Sequence, residues 1–70
     1  MEFGQKMREV RKMRKYSLSE VGDAIGSSKQ QLSLYERGKR SPNAKMIRNI
    51  ALALDVSADY LLGLADEKPE

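Results

Sequence analysis

Two helix-start signatures stand eleven residues apart in this chain, with almost no room between the helices they open. In Ser17-Leu18-Ser19-Glu20 a hydroxyl precedes a carboxylate by three residues. At that spacing the hydroxyl accepts from the third helical N–H, and the carboxylate reaches back to the serine N–H. Ser28-Lys29-Gln30-Gln31 repeats the pattern with glutamine in the third position. Gly26 lies between them and predicts the end of the first helix, because a left-handed residue costs glycine little. The spacing therefore predicts one helix over 18–25 and another from the Ser28 cap to about Arg37, stopped at Gly38. Gly22 inside the first costs roughly 1 kcal/mol against alanine. A second helix packed close against it explains that choice; a tolerated accident reads the same way.

The flanking segments are helical too. Phe3, Met7 and Val10 recur at helical spacing over 3–15, with Lys6, Arg8, Lys12 and Lys15 off that stripe, so Met7 and Val10 read as core. Gly38-Lys39-Arg40-Ser41-Pro42 is a basic, turn-rich loop. Asn43 is the N-cap expected for a helix over 44–54, whose stripe is Ile47, Ile50, Ala51 and Leu54. Asp55 ends it, and Ser57 caps a last short helix over 58–62 before Gly63. The expected fold class is all-α, five helices in one domain over 1–64. An acidic tail over 65–70, with Asp66-Glu67-Lys68-Pro69-Glu70 offering nothing to bury, is expected to fray.

Composition narrows what such a bundle does. Seventy residues without Cys or His exclude disulfides and the common soft zinc sites, so helix packing must supply the stability. The same absence removes the usual catalytic bases and nucleophiles, and no Gly-rich phosphate loop is present. No catalytic, cofactor-binding or metal-binding residue is assigned, no cofactor is expected, and a bundle this small leaves little room for a small-molecule pocket. No apolar run approaches the roughly 18 residues of a membrane span, and Met1-Glu2-Phe3-Gly4-Gln5-Lys6 lacks the apolar core of a signal peptide. The expectation is a cytoplasmic chain with no membrane partner. Its formal charge of +3 is unevenly spread: residues 1–48 hold 12 of 13 basic and 5 of 10 acidic side chains. Such asymmetry suits one face turned to a polyanion, although basic helices are often merely solvated.

Two short capped helices joined by a tight glycine turn are the sequence form of a helix-turn-helix. Around them stand Met7-Arg8-Glu9-Val10-Arg11, Tyr16-Ser17, Glu20-Val21-Gly22, Ala24-Ile25-Gly26, Leu32-Ser33, Tyr35-Glu36-Arg37-Gly38-Lys39-Arg40-Ser41-Pro42 and Ala51-Leu52-Ala53-Leu54-Asp55-Val56-Ser57. In order and spacing, the stretch from Met7 to Gly63 resembles the Cro/cI-type, lambda-repressor-like helix-turn-helix family. The resemblance implies a five-helix domain that reads double-stranded DNA with its third helix, commonly as a dimer on a two-fold operator, in a prokaryotic or phage setting.

Carried over by position, Val21, Gly22, Ile25, Leu32 and Tyr35 are packing residues between the second and third helices. Arg11 and Glu36 are a partly buried ion pair tying the first helix to the end of the third; as ordinary surface charges they would matter little. Lys29, Gln30, Gln31, Ser33 and Leu34 are the groove-facing residues. Their chemistry suits this, since Gln can bond bidentately to adenine, Lys can donate to guanine, and Leu34 can meet a thymine methyl. Outside that context the same Gln and Ser residues read as capping and solvation. Ser28 and Gln31 are expected to hold the helix end, leaving Lys29 and Gln30 to touch bases. Lys39, Arg40, Ser41, Asn43 and the helix start at Ser17 fall in the phosphate-contacting region. Leu18 departs from the family pattern, which often has a phosphate-bracing Gln there, and Leu34 replaces a commonly polar residue.

The function this implies is a sequence-specific DNA-binding regulator, a repressor by family habit, working as a homodimer on an operator. At this length it is either a minimal repressor or a domain of a longer chain. The competing class is a protein-interaction module such as an antitoxin, for which Val56, Tyr60, Leu61 and Leu64 offer a contact surface; self-dimerisation can use the same residues.

Overall fold

Apolar side chains three and four residues apart draw each helix onto one centre. In the computed structural model, which describes residues 2–65, α1 (Glu2–Met13) turns Phe3, Met7 and Val10 inward. α2 (Leu18–Ile25) adds Val21, and α3 (Lys29–Glu36) adds Leu32 and Tyr35. α4 (Ala44–Leu54) supplies Ile50, Ala51 and Leu54, and the single turn of α5 (Ala58–Leu61) supplies Tyr60 and Leu61. Burying each of these larger side chains is worth about 1.5–3 kcal/mol, so the common core outweighs any one cap. α3 is packed between α1 and α2, while α5 closes the bundle against α1 and α4. The five-helix, all-α expectation holds among the described residues. Of the tail expected over 65–70, residues 66–70 lie outside them.

Four helices begin on the caps expected of them. Ser17 Oγ accepts from the Glu20 N–H at 3.0 Å, and the Glu20 carboxylate accepts from the Ser17 N–H at 2.8 Å. Ser28, Asn43 and Ser57 each accept from the N–H three residues on, at 3.1, 2.8 and 3.1 Å. Each such cap is worth about 1 kcal/mol.

All five helices close the same way, with a left-handed residue and a six-to-one backbone bond. These bonds are Tyr16 N–H to Arg11 O, Ser27 to Gly22, Lys39 to Leu34, Val56 to Ala51 and Leu64 to Asp59, at 2.8–3.0 Å. Gly26, Gly38 and Gly63 supply the left-handed residue in three cases, and Lys15 (φ 62) and Asp55 (φ 55) in the others. Lys15 is why α1 stops at Met13 rather than at residue 15. The closure needs a left-handed backbone there, and no glycine announces it. The Arg14 guanidinium is then free to leave the helix line and donate to the Leu54 and Asp55 carbonyls at 2.9 and 2.7 Å, capping the end of α4. α3 and α5 each end one residue earlier than expected, at Glu36 and Leu61.

One ion pair joins the first and third helices. The Arg11 guanidinium meets the Glu36 carboxylate with two parallel bonds, Nε to Oε2 at 2.7 Å and Nη2 to Oε1 at 3.1 Å. Its remaining nitrogen donates to the Tyr16 carbonyl at 2.8 Å. The two side chains are only 12% and 6% exposed, so the pair is largely desolvated. Removing one partner strands the other charge, and Glu36→Ala should cost about 3–5 kcal/mol by urea denaturation. A loss under about 1 kcal/mol would reduce the pair to the class of exposed salt bridges.

Tyr60 forms a second polar contact at the core edge. Its ring is 2% exposed, its hydroxyl donates to Glu9 Oε1 at 2.9 Å, and the Lys6 ammonium sits 4.4 Å above the ring centroid. Burial pushes its phenol above the ordinary value near 10, and the bond to Glu9 and that carboxylate's charge push the same way. Because the folded state favours the protonated phenol, this contribution to stability is fully present below about pH 10 and is lost as pH rises through the folded value. In alkaline titration by phenolate absorbance, Tyr60 should ionise after the tyrosines of the unfolded chain, and Tyr60→Phe should remove that share of the alkaline loss. An unchanged alkaline profile in Tyr60→Phe would refute the assignment.

Candidate nucleic-acid interface

The angle between α2 and α3 rests on how closely the chain turns after Gly22. A Cβ on Gly22 would stand 2.5 Å from the Ser27 carbonyl oxygen, so only glycine lets the turn fold back this tightly. Beneath the turn, Val21 from α2 and Leu32 and Tyr35 from α3 are buried in the shared core. With 3.6 residues per turn, burying Leu32 and Tyr35 sends Lys29, Gln30, Ser33, Leu34 and Arg37 to the outer side of α3. There they meet Leu18, the first residue of α2, and the six line one shallow groove.

Four of the expected groove-facing residues (Lys29, Gln30, Ser33 and Leu34) thus share one concave surface. Lys29 and Gln30 are exposed, whereas Ser33 and Leu34 are half-buried. Gln31 is set apart. Its amide nitrogen donates to the Tyr35 hydroxyl at 2.8 Å, and its oxygen accepts from Arg40 Nη1 at 3.3 Å. The reciprocal box expected at Ser28 is therefore only half made: Ser28 Oγ caps the helix, but the Gln31 side chain turns away to the phenol oxygen of a buried tyrosine. Lys39, Arg40 and Ser41 are exposed in the α3–α4 loop, and Arg40 is steered by Gln31. Asn43 is exposed at the head of α4, and Ser17 and Ser28 are exposed at the heads of α2 and α3. The groove carries two cations, Lys29 and Arg37, and no carboxylate.

Two lining residues were not among those expected. Arg37 follows Ser33 by four residues and Leu34 by three, a helical spacing that was there to be read. Leu18 carried no spacing signal; the family pattern put it at a phosphate-bracing position, and tertiary packing brings it to the same groove as Leu34. The apolar contact surface also needs correction. Tyr60 and Leu61 are buried in the core, since a one-turn helix plugging the gap between α1 and α4 must turn its large side chains inward. Val56 is half-buried, and the large apolar side chains left open near the end of α5 are Leu62 (43% exposed) and Leu64 (74%).

With this geometry in place, comparison with known proteins is specific. Residues 7–61 match the family model described as helix-turn-helix. The transcriptional regulator YqaE of Bacillus subtilis is 37% identical over 67 residues, covering 94% of this chain and 58% of YqaE. The chain likewise spans 58% and 60% of the length of two other curated Bacillus regulators that it matches. The P22 c2 repressor, solved in complex with a synthetic operator, superposes with a TM-score of 0.85 at 31% identity, covering 93% of this chain and 98% of that one. SinR, a master regulator of biofilm formation solved in complex with DNA, gives 0.80 at 36% identity, covering 86% and 97%.

Proposed function

The chain belongs to the helix-turn-helix family, and on that premise we propose that residues 1–64 form a domain that binds double-stranded DNA sequence-specifically and regulates transcription, as a repressor. The observation that carries this reading is the exposed outer edge of α3, braced from beneath and bearing Lys29, Gln30, Ser33, Leu34 and Arg37 on one groove. An α-helix with its side chains is about 10–12 Å across, a fit for a major groove about 12 Å wide. Gln30 pairs with an adenine edge through its amide, and Lys29 donates to guanine. The repressor and regulator complexes with DNA among similar proteins support the same assignment.

In this reading Ser17, Ser28 and the open N–H groups of the first turns of α2 and α3 approach phosphates. Lys39, Arg40, Ser41 and Asn43 hold the backbone beyond α3, with Gln31 acting through Arg40 as a positioning residue. The domain pairs with a second copy through Leu62 and Leu64, which sets two recognition helices about 34 Å apart on a two-fold site.

Two measurements test these roles. Lys39→Ala and Arg40→Ala together should weaken binding about equally across duplex sequences and flatten the slope of log affinity against log salt by about one to two. A loss confined to one sequence would contradict the phosphate role. Sedimentation should show a dimer in the wild type, on or off DNA, and a monomer in Leu64→Glu with its helicity intact. A wild-type monomer that binds single half-sites would overturn the paired arrangement.

A further inference from the structure

α3 is met closely by a glycine at each end. Near its start the chain folds back over Gly22, and at its far end the first turn of α1 lies against it at Gly4. A Cβ on Gly4 would overlap the Tyr35 carbonyl oxygen and stand 2.7 Å from that of Glu36. Carbon and carbonyl oxygen ordinarily meet at about 3.3–3.6 Å, so a methyl group there forces the two backbones apart by at least about 0.6 Å. The Tyr35 oxygen also closes the helix. It accepts from the Gly38 N–H at 3.1 Å, while the Lys39 N–H donates to the Leu34 oxygen at 2.9 Å. Around the left-handed Gly38 (φ 71), these two bonds set the direction in which Lys39 and Arg40 leave α3. The two sides of the contact differ in what can yield. Phe3 and Met7 are buried in the core and hold the first turn of α1 in place. On the other side, the chain runs on into a loop whose residues 39–41 are exposed.

We propose that Gly4 is a positioning residue for DNA binding: by letting α1 press on the Tyr35 and Glu36 carbonyls, it sets where Lys39 and Arg40 stand relative to the outer edge of α3. The inference rests on the DNA-binding reading above. Gly4 is itself buried and acts only through the α3–α4 loop. It therefore bears on phosphate contacts, which place the domain, and leaves the choice of bases to Lys29 and Gln30. Those two stand at the opposite end of α3, where the Ser28 cap and the Gly22 turn hold the chain. A methyl group at position 4 moves the last turn of α3 off α1 and carries both loop cations out of register with the backbone they hold.

Gly4→Ala supplies that methyl group and, because alanine is the better helix former, does not weaken α1 itself. Binding to duplexes enriched from a random pool by the wild-type chain is read by fluorescence anisotropy over a range of salt. Sucrose is present throughout, since it favours the folded state without touching the contact. Gly4→Ala should bind every enriched duplex about tenfold more weakly at low salt and flatten the slope of log affinity against log salt by about one, the share of one phosphate contact. The sequence it enriches should match that of the wild type. Added to Lys39→Ala and Arg40→Ala, it should weaken binding by less than about twofold more, because the contacts it misplaces are already gone. Ile50→Val lowers stability from a buried site in α4 and should keep the wild-type slope, which separates placement from stability. A wild-type slope in Gly4→Ala would overturn the proposal, as would an undiminished loss in the Lys39 and Arg40 background. A Gly4→Ala chain that stays unfolded in sucrose would overturn it too, since the contact would then serve the whole fold. Failure of the wild type to enrich any duplex would instead overturn the DNA-binding reading itself.

Discussion

A single guanidinium holds together the parts of this domain that must not move. Arg11 spends two nitrogens on Glu36 at the end of α3 and the third on the Tyr16 carbonyl, one residue ahead of the cap that starts α2. The first helix, the turn that follows it and the distant end of α3 thus meet at one planar, five-donor group. Lysine, with a point charge and no fork, cannot make that junction. The cost of desolvating two charges is offset only because the carboxylate is met by two parallel bonds and the third nitrogen also finds an acceptor. The result is orientation more than net stability. α3 is fixed at its far end by charge, at its near end by the Ser28 cap, and along its inner side by Leu32 and Tyr35. Its outer edge is therefore presented as a rigid surface.

How much of this could be read in advance depended on whether the signal was local. Caps are local, and Ser17, Ser28, Asn43 and Ser57 start their helices where the serine and asparagine spacing put them. Core faces are periodic, and Phe3, Met7, Val10, Ile50, Ala51 and Leu54 follow from periodicity. Helix ends are local only when glycine marks them. α2 stops at Ile25 before Gly26 as expected, but α1 stops early because Lys15 takes the left-handed conformation without any compositional sign. The arrangement at Gln31 was not legible either. A glutamine three residues after a serine satisfies the capping pattern, yet a phenol oxygen and an arginine nearby in space compete for its amide. Tyr60 and Leu61 mislead for a similar reason. On so short a helix no periodicity separates an exposed stripe from a buried one, and tertiary packing decides.

The candidate site divides the same way, and the division says which residues are available for recognition. Ser17, Ser28 and Asn43 accept helix N–H groups through their side-chain oxygens, and their hydroxyl and amide hydrogens are what they offer a phosphate beside the open backbone around them. Gln31 is engaged on both ends of its amide. Lys29 and Gln30 lie exposed on the edge that the groove defines. The side chains that hold α3 and those left to meet a ligand are thus nearly disjoint sets. A contact made by Lys29 or Gln30 draws little on the bonds that stabilise the domain.

That separation also explains how the groove tolerates leucines. A polar residue at 18 or 34 would add a directional contact and would need a partner whenever DNA excluded water from it. A leucine needs none, and its apolar surface is half-buried before any ligand arrives. Leu18 is already braced by the core, so little side-chain freedom remains to be lost by any contact it makes. An edge built from exposed Gln30 and Lys29 beside a pre-ordered apolar floor therefore offers a ligand two kinds of contact with different sensitivities. The hydrogen-bonded part is intolerant of a mismatched donor or acceptor, because a buried unpaired group is expensive. The apolar part contributes less per contact but loses less to ordering. In a domain without Cys or His, specificity that makes so small a demand on stability is the physically accessible kind.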